Sequence, residues 1–286
     1  MAPLCSPASQ CCASAPGGGR PARRLLPRSG ALALLLLAAI ARAGATDLSA
    51  EQVSGALARA SAEQPAIFDG KDLSDLDLSR LDFRHASLRG TNLFASRLVS
   101  SNFTGTDLRA ANLNGAWLMG ADFTGARLAG ASLLSVVILG GPVKAMPIFR
   151  HADLHGVRMI ADLPGADLAG ADLGEARIGV DIRNQGMGQM RTDLTGAHLS
   201  GANLAGADLN RSLLSFADLR GSNLRGANLF RVKLVGADLT GADVTGADFT
   251  ESDVSDAILR GVTGLARAKG LAAADGPDSR ASRAAP

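Results

Sequence analysis

The chain has 286 residues, a formal net charge of +2 and a mean hydropathy of +0.14, with aromatic residues at 3% and no tyrosine. It is long enough to bury a sizeable core, and so few aromatics in so apolar a chain fit a repetitive sequence better than an irregular globular one. The charge is too slight to suggest a nucleic-acid partner, and its sign depends on the first 45 residues.

Residues 1–45 read as a targeting segment. Arg20, Arg23, Arg24 and Arg28 precede an apolar run over 31–40, and Ala41-Arg42-Ala43 offers a small-x-small cleavage site. This pattern predicts a secretory signal, shorter than a membrane span; the alternative is an uncleaved anchor. No cysteine follows the run, which argues against a bacterial lipoprotein. Arg23-Arg24-Leu25-Leu26 loosely matches a twin-arginine signal but the residues after it do not, so the export route stays open. The stretch ahead of Arg20 is long for a signal, which fits an upstream start codon or a plastid transit peptide. The expected location is exported, periplasmic first, with the thylakoid lumen or secretion as alternatives, and with no stable membrane insertion after signal removal. Removal takes away Arg20, Arg23, Arg24, Arg28 and Arg42 while all 27 acids remain, so the net charge moves from +2 to −3. Cys5, Cys11 and Cys12 leave as well, so the remaining chain needs neither disulfides nor a cysteine-held metal.

Residues 46–60 predict a short helix. Ser49 and Gln52 have the spacing of a capping box, and Val53, Ala56, Leu57 and Ala60 share one side. Residues 46–70 are read as an amino-terminal cap and lead-in, lying over the first coil of the region beyond residue 70 or leaning on its flank.

From Leu73 to Leu259 about every fifth residue is Leu, or occasionally Phe, Ile, Val or Met, mostly with a small residue two places earlier. The clearest units read ADLAG, ANLNG, ADFTG, ANLAG and ADLTG. In extended backbone the central Leu and the small residue point the same way, with the Asp or Asn between them opposed. Because five is odd, each unit needs one extra outward residue at a corner, where Gly tolerates positive φ and Asp or Asn can bond turn backbone. A helix would need apolar spacings of three and four, which are lacking here. The chain resembles the pentapeptide-repeat family, A-(D/N)-L-x-x, over roughly two thirds of its length. The resemblance implies an all-β fold, a right-handed quadrilateral β-helix with four pentads per coil, here over residues 71–261. Phe83, Phe103 and Phe123 fall twenty apart, so a twenty-residue coil would stack them. About 36 pentads would give about nine coils and a rod of roughly 43 Å at ~4.8 Å per coil. Each coil buries its Leu and Ala only against its neighbours, so both ends need covers.

Three departures break the period. One runs through residues 141–150, with a single added residue before Leu154. A second drops a residue between Met159 and Leu163. The third, near 181–191, replaces regular pentads with an irregular loop carrying Asp181, Arg183, Asn184, Gln185, Met187, Met190 and Arg191. Insertions must bulge outward because the interior volume is fixed, and loops carry function or simply drift. With one residue added in the first break, the centres Leu98, Leu118, Ile138 and Met159 align. Their outward neighbours are then Arg97, Trp117, Val137 and Arg158 before them, and Val99, Met119, Leu139 and Ile160 after them. This predicts an apolar stripe around Trp117 flanked by arginines, the composition of a contact surface. The competing expectations are that the amino-terminal helix or the loop at 146–149 covers it, or that the register is shifted. Residues 262–286 close the chain: 264–271 resemble the terminal segment that closes such rods, and the polar residues from 272 onward are expected to be disordered.

No catalytic constellation is present. The carboxylates sit on the repeating outward position, and His85, His151, His155 and His198 lack a positioned nucleophile. No cofactor is implied. Soft side chains gather in the broken middle, where Met187 and Met190 with His151 and His155 make a candidate copper(I) site, against Met acting as packing. The leading expectation is an exported, non-catalytic scaffold that binds an unknown protein partner or a second copy of itself. The alternatives are a soft-metal binding protein, end-to-end stacking rods, or a gyrase-directed DNA mimic. The last is implied by the family resemblance and disfavoured by export and by Arg80, Arg84, Arg89, Arg97 and Arg109 on the first coils.

Overall fold

The computed structural model describes residues 46–138, 145–180 and 191–271. The targeting segment, Leu139, the irregular loop from Asp181 to Met190 and the tail from 272 lie outside the described residues. The repeat fold belongs to the unit that begins at Thr46.

The pentad code becomes four parallel ladders. One joins Asp72, Asn92, Asn112 and Ser132, the next Asp77, Arg97, Trp117 and Val137, the third Asp82, Asn102 and Asp122, and the fourth Ser87, Asp107 and Arg127. Each rung is twenty residues long. Four stretches extend into strands: β1 (Ala66–Ile67), β2 (Ala86–Ser87), β3 (Ser132–Val136) and β4 (Arg158–Ala161). They pair in parallel as β1 with β2 and β3 with β4. Elsewhere the strand-like contact is a single bridge, because the chain turns a corner every five residues.

The hydrogen bonds explain each position of the repeat. The central Leu73 N–H donates to the Asn92 carbonyl of the next coil at 2.8 Å, and Asn92 N–H returns to the Lys71 carbonyl at 2.9 Å. The outward Asp accepts at Oδ1 from the amide two residues on, as Asp122 does from Thr124 at 2.9 Å, which favours the turn. The corner residue that follows has positive φ, 66° at Gly120, but also 57° at Asp75 and 60° at Arg211, where a side chain is held in the left-handed region.

Leu and Ala line the interior, and each buried Leu adds about 1.5–3 kcal/mol of apolar burial. Phe83, Phe103 and Phe123 stack with ring centroids 4.6 and 4.8 Å apart, and Phe149 extends the column at 5.0 Å. Helix α1 (Ala50–Leu57) starts at a complete Ser49–Gln52 capping box. Val53 is fully buried in the same core cluster as Phe68 and Leu73. At the other end a short 3₁₀ turn, Leu265–Arg267, follows coils whose inward residues Val254, Leu259 and Val262 are only partly buried.

The three breaks are absorbed differently. Asp122 pairs with Ile148 and Ser132 with Arg158, so six residues leave the ladder at the first break, rather than one. A whole pentad plus one residue is displaced, because a wall accepts only complete pentads if its Leu is to stay inside. The dropped residue after Met159 is taken up by a register shift between Leu134 and Val136. The third break separates Asp172 from its ladder neighbour Asn203 by 31 positions.

Candidate interaction surface

The wall carrying Asp77, Arg97, Trp117 and Val137 holds the centre of the expected stripe. The Arg97 guanidinium lies over the indole, 5.1 Å from its centroid, and its Nε stands 3.7 Å from Asp77 Oδ2 on the other side. The carboxyl of Asp77 is held below its ordinary range, first by the Ser79 hydroxyl and amide and then by Arg97 and Arg80. Trp117, Val99 and Val137 are half-buried, while Arg97 is exposed. A cation over an indole and between carboxylate and ring is a preformed arrangement that needs little ordering when a partner arrives.

Several expected members of the stripe fall elsewhere. Met119 is buried, at 1% exposure, and the Gly120 amide next to it donates to Ala145 at 2.8 Å, so returning chain runs along this edge. Met119 is therefore an outward side chain covered by the chain that returns at Ala145, and it is not open to a partner. Arg158 and Ile160 are not on this wall: they stack on Ser132 and Leu134, and Met159 lies beside Leu133 rather than Ile138. The physical reason is the six-residue displacement, which moves everything after it one wall back from the expected register. Leu139 lies outside the described residues. What remains together is Arg97, Val99, Trp117 and Val137.

The soft-metal candidates also separate. Met187 and Met190 lie outside the described residues. His151 and His155 are exposed at corner positions, their imidazoles over Gly170 and Gly174 of the next coil. Met159 is buried in the core and Met146 packs against it. Among the described residues no three or more His, Cys, Asp or Glu side chains gather as a metal site. Of the irregular loop only Arg191 is described, and it is exposed.

Displaced onto the neighbouring wall, Arg158 meets residues that the period did not single out. Arg158 and Arg177 are ladder neighbours, and Asp208, Asn228 and Asp248 continue the column. Arg158, Arg177, Arg211, Ile160, Val180 and Phe230 line a cavity of about 730 Å³. Two arginines at one pentad position, nineteen apart, were the available signal, hidden by the wrong register.

A family model for pentapeptide repeats matches in eight copies, over residues 66–93, 86–125, 101–133, 190–226 and 227–263. The chain belongs to the pentapeptide-repeat family. Solved pentapeptide-repeat structures resemble it. HetL, involved in heterocyst differentiation regulation in the cyanobacterium Nostoc sp. strain PCC 7120, is 28% identical over 75% of this chain and 94% of its own, with a TM-score of 0.40. A thylakoid-lumen protein of Arabidopsis thaliana, AT2G44920, is 29% identical over 39% of this chain and 67% of its own, with a TM-score of 0.23. Full-length QnrB1, a plasmid-mediated fluoroquinolone resistance protein, is 17% identical over 73% of this chain and 94% of its own, with a TM-score of 0.27. The comparison with curated proteins gives no match. The unmatched stretch of the repeat region, 134–189, contains all three breaks, while its described residues keep their ladder pairs, as Asp153 does with Asp172.

Proposed function

We propose that the protein is an exported, non-catalytic scaffold, a right-handed quadrilateral pentapeptide-repeat rod that presents a rigid wall to another protein or to a second copy of itself. The observation that carries this reading is the Arg97–Trp117 stack, half-open to solvent between Asp77 and Val137 on a backbone fixed by ladders above and below. Trp and Arg are the residues over-represented where binding energy concentrates, and a preformed wall loses little entropy on docking. The smaller patch, without Arg158 and Ile160, favours a partner that grips one indole rather than one that covers a long stripe. Export rests on the arginines, apolar run and cleavage site at the amino terminus. No helix among the described residues is long and apolar enough to cross a membrane. A net charge of −3 after signal removal is a weak imitation of DNA, so a gyrase-directed role is the lesser reading.

The test compares the mature chain with its Trp117→Asp variant. Sedimentation velocity reads self-association, and crosslinking in the exported compartment followed by mass spectrometry reads heterologous partners. A dimer or a reproducible partner that is lost in the variant, with an unchanged far-UV circular dichroism spectrum, supports the reading. Identical sedimentation and identical crosslinks in both proteins would remove it.

A further inference from the structure

The cavity on the wall beside Trp117's has the makings of a separate site. Its rim carries three guanidinium groups, from Arg158, Arg177 and Arg211. Arg158 and Arg177 occupy consecutive rungs, where the backbone spacing is ~4.8 Å, so both side chains leave the same wall on neighbouring coils. Among the described residues neither they nor Arg211 has an ion pair or a side-chain hydrogen bond. Some other arginines behave differently: Arg109 and Arg220 close on Asp107 and Asp218 at 2.6 Å, and Arg231 on Glu251 at the same distance, although Arg80 and Arg260 are also unpaired among the described residues.

The two carboxylates at the cavity, Asp208 and Asp248, keep their charge but take their hydrogen bonds from groups other than these arginines. Asp208 Oδ1 accepts from the Asn210 amide at 3.2 Å, from Asn210 Nδ2 at 2.8 Å and from Asn228 Nδ2 at 2.9 Å. Asp248 accepts from the Thr250 amide at 3.0 Å and faces Lys269 at 3.9 Å. Gly179 allows this arrangement, since a β-carbon there would stand 2.7 Å from the Asn210 backbone nitrogen and 2.3 Å from its Nδ2. The result is a pocket whose lining combines unpaired guanidinium donors with Ile160, Val180 and Phe230. Its volume of about 730 Å³ falls within the roughly 300–1,000 Å³ of small-molecule sites.

We propose that this cavity binds a small organic oxyanion, a phosphomonoester or carboxylate with an apolar or aromatic body. Guanidinium forks match the paired oxygens of such groups, and stacked like charges are relieved when an anion bridges them. The aromatic Phe230 and the aliphatic Ile160 and Val180 supply the surface for the body of the ligand. The site lies on a different wall from the Arg97–Trp117 stack and does not depend on it.

The probe is phenyl phosphate, titrated calorimetrically into the mature chain at low ionic strength, with phenol and inorganic phosphate as partial probes. Saturable one-to-one binding is expected for phenyl phosphate, weaker by about tenfold for inorganic phosphate and absent for phenol. Added salt should weaken it, because exposed charges are screened. The paired substitutions Arg158→Gln and Arg177→Gln should reduce affinity at least about tenfold, while Arg260→Gln, remote from the cavity, should leave it unchanged. Arg177→Lys should recover only part of the loss, since an ammonium lacks the planar fork. No saturable binding by the unsubstituted chain would overturn the proposal, and so would equal binding by the paired variant with intact circular dichroism.

Discussion

Two stretches of a single ladder column behave as opposites. At Asp72, Asn92 and Asn112 the outward side chains bond to one another: Asn92 Nδ2 donates to Asp72 Oδ1 at 2.9 Å, and Asn112 Nδ2 to Asn92 Oδ1 at 2.9 Å. Further along the column stand Arg158 and Arg177, with no such bond between them. An amide carries both donor and acceptor, so it can extend a ladder from coil to coil. A guanidinium only donates. A run of arginines therefore stops the ladder and leaves its donors to something outside the column. The rod below is the same in both stretches, so the difference lies in what the wall offers to solvent.

That common frame is the first thing to break. Phe103 sits between Phe83 and Phe123, at 4.6 and 4.8 Å, and is fully buried. Phe103→Ala should cost about 3–5 kcal/mol, because the fixed coil geometry keeps the cavity from collapsing. Urea unfolding followed by circular dichroism measures it. A loss below about 1 kcal/mol would mean that the coils can shift to fill the gap, and the wall map built on their rigidity would fail with it.

A smaller effect separates the two stretches of the column directly. Asn112→Ala removes one rung of the amide ladder and should cost about 0.5–1.5 kcal/mol, the net worth of a partly exposed hydrogen bond. Substituting Arg158→Asn together with Arg177→Asn should act in the other direction. It removes a like-charge pair and lets the later amide donate to the earlier one, for a gain of roughly 0.5–1 kcal/mol in the same unfolding assay. If the arginine pair is instead the more stable arrangement, their charges are satisfied within the chain and the column has no donors to offer.

The interior was legible in the sequence to a degree that the outer map was not. Phe83, Phe103 and Phe123 announce their stacking by spacing alone, because an inward slot accepts only an apolar centre and the coil length is fixed by four such slots. Phe149 was hidden by the same break that misplaced Arg158. A loop's length tells how many residues were added, but whether they stay in the wall or leave it depends on where the next Leu can enter the core. One residue added within the wall and six displaced from it both keep the downstream period, and they differ by one complete pentad. Arg97 and Trp117 precede the break and stand on the wall that the period assigns them; Arg158 and Ile160 come after it and stand on another. Met119 departs for a different reason, since the pentad code describes an isolated rod and cannot show that chain returning at Ala145 would bury an outward side chain.

The smallest effect concerns donors that come from within a pentad rather than from the next coil. The Asp243 carboxyl is lowered to about 2, first by the Thr245 hydroxyl and amide and then by Arg225. Thr245 Oγ1 donates to Asp243 Oδ1 at 2.5 Å and its amide at 2.9 Å, while Arg225 reaches Oδ2 at 3.2 Å. Because the folded value is depressed, the stabilisation is complete above the ordinary value of 3.8 and is lost as pH falls through about 2. Thr245→Val deletes the hydroxyl and keeps the amide and Arg225. The Asp243 midpoint, followed by carbon-detected NMR of the side-chain carboxyl, should rise from about 2 toward 3.8 without reaching it. The Asp243 side chain is about a third exposed and its Arg225 partner more so, so solvent screens the interaction, the midpoint is the sensitive reading and the unfolding transition should barely move. An unchanged midpoint would assign the depression to the amide and Arg225. Asp243 would then resemble the inter-coil pairs at Asp72, Asn92 and Asn112, and the distinction between donors within a pentad and donors between coils would no longer hold.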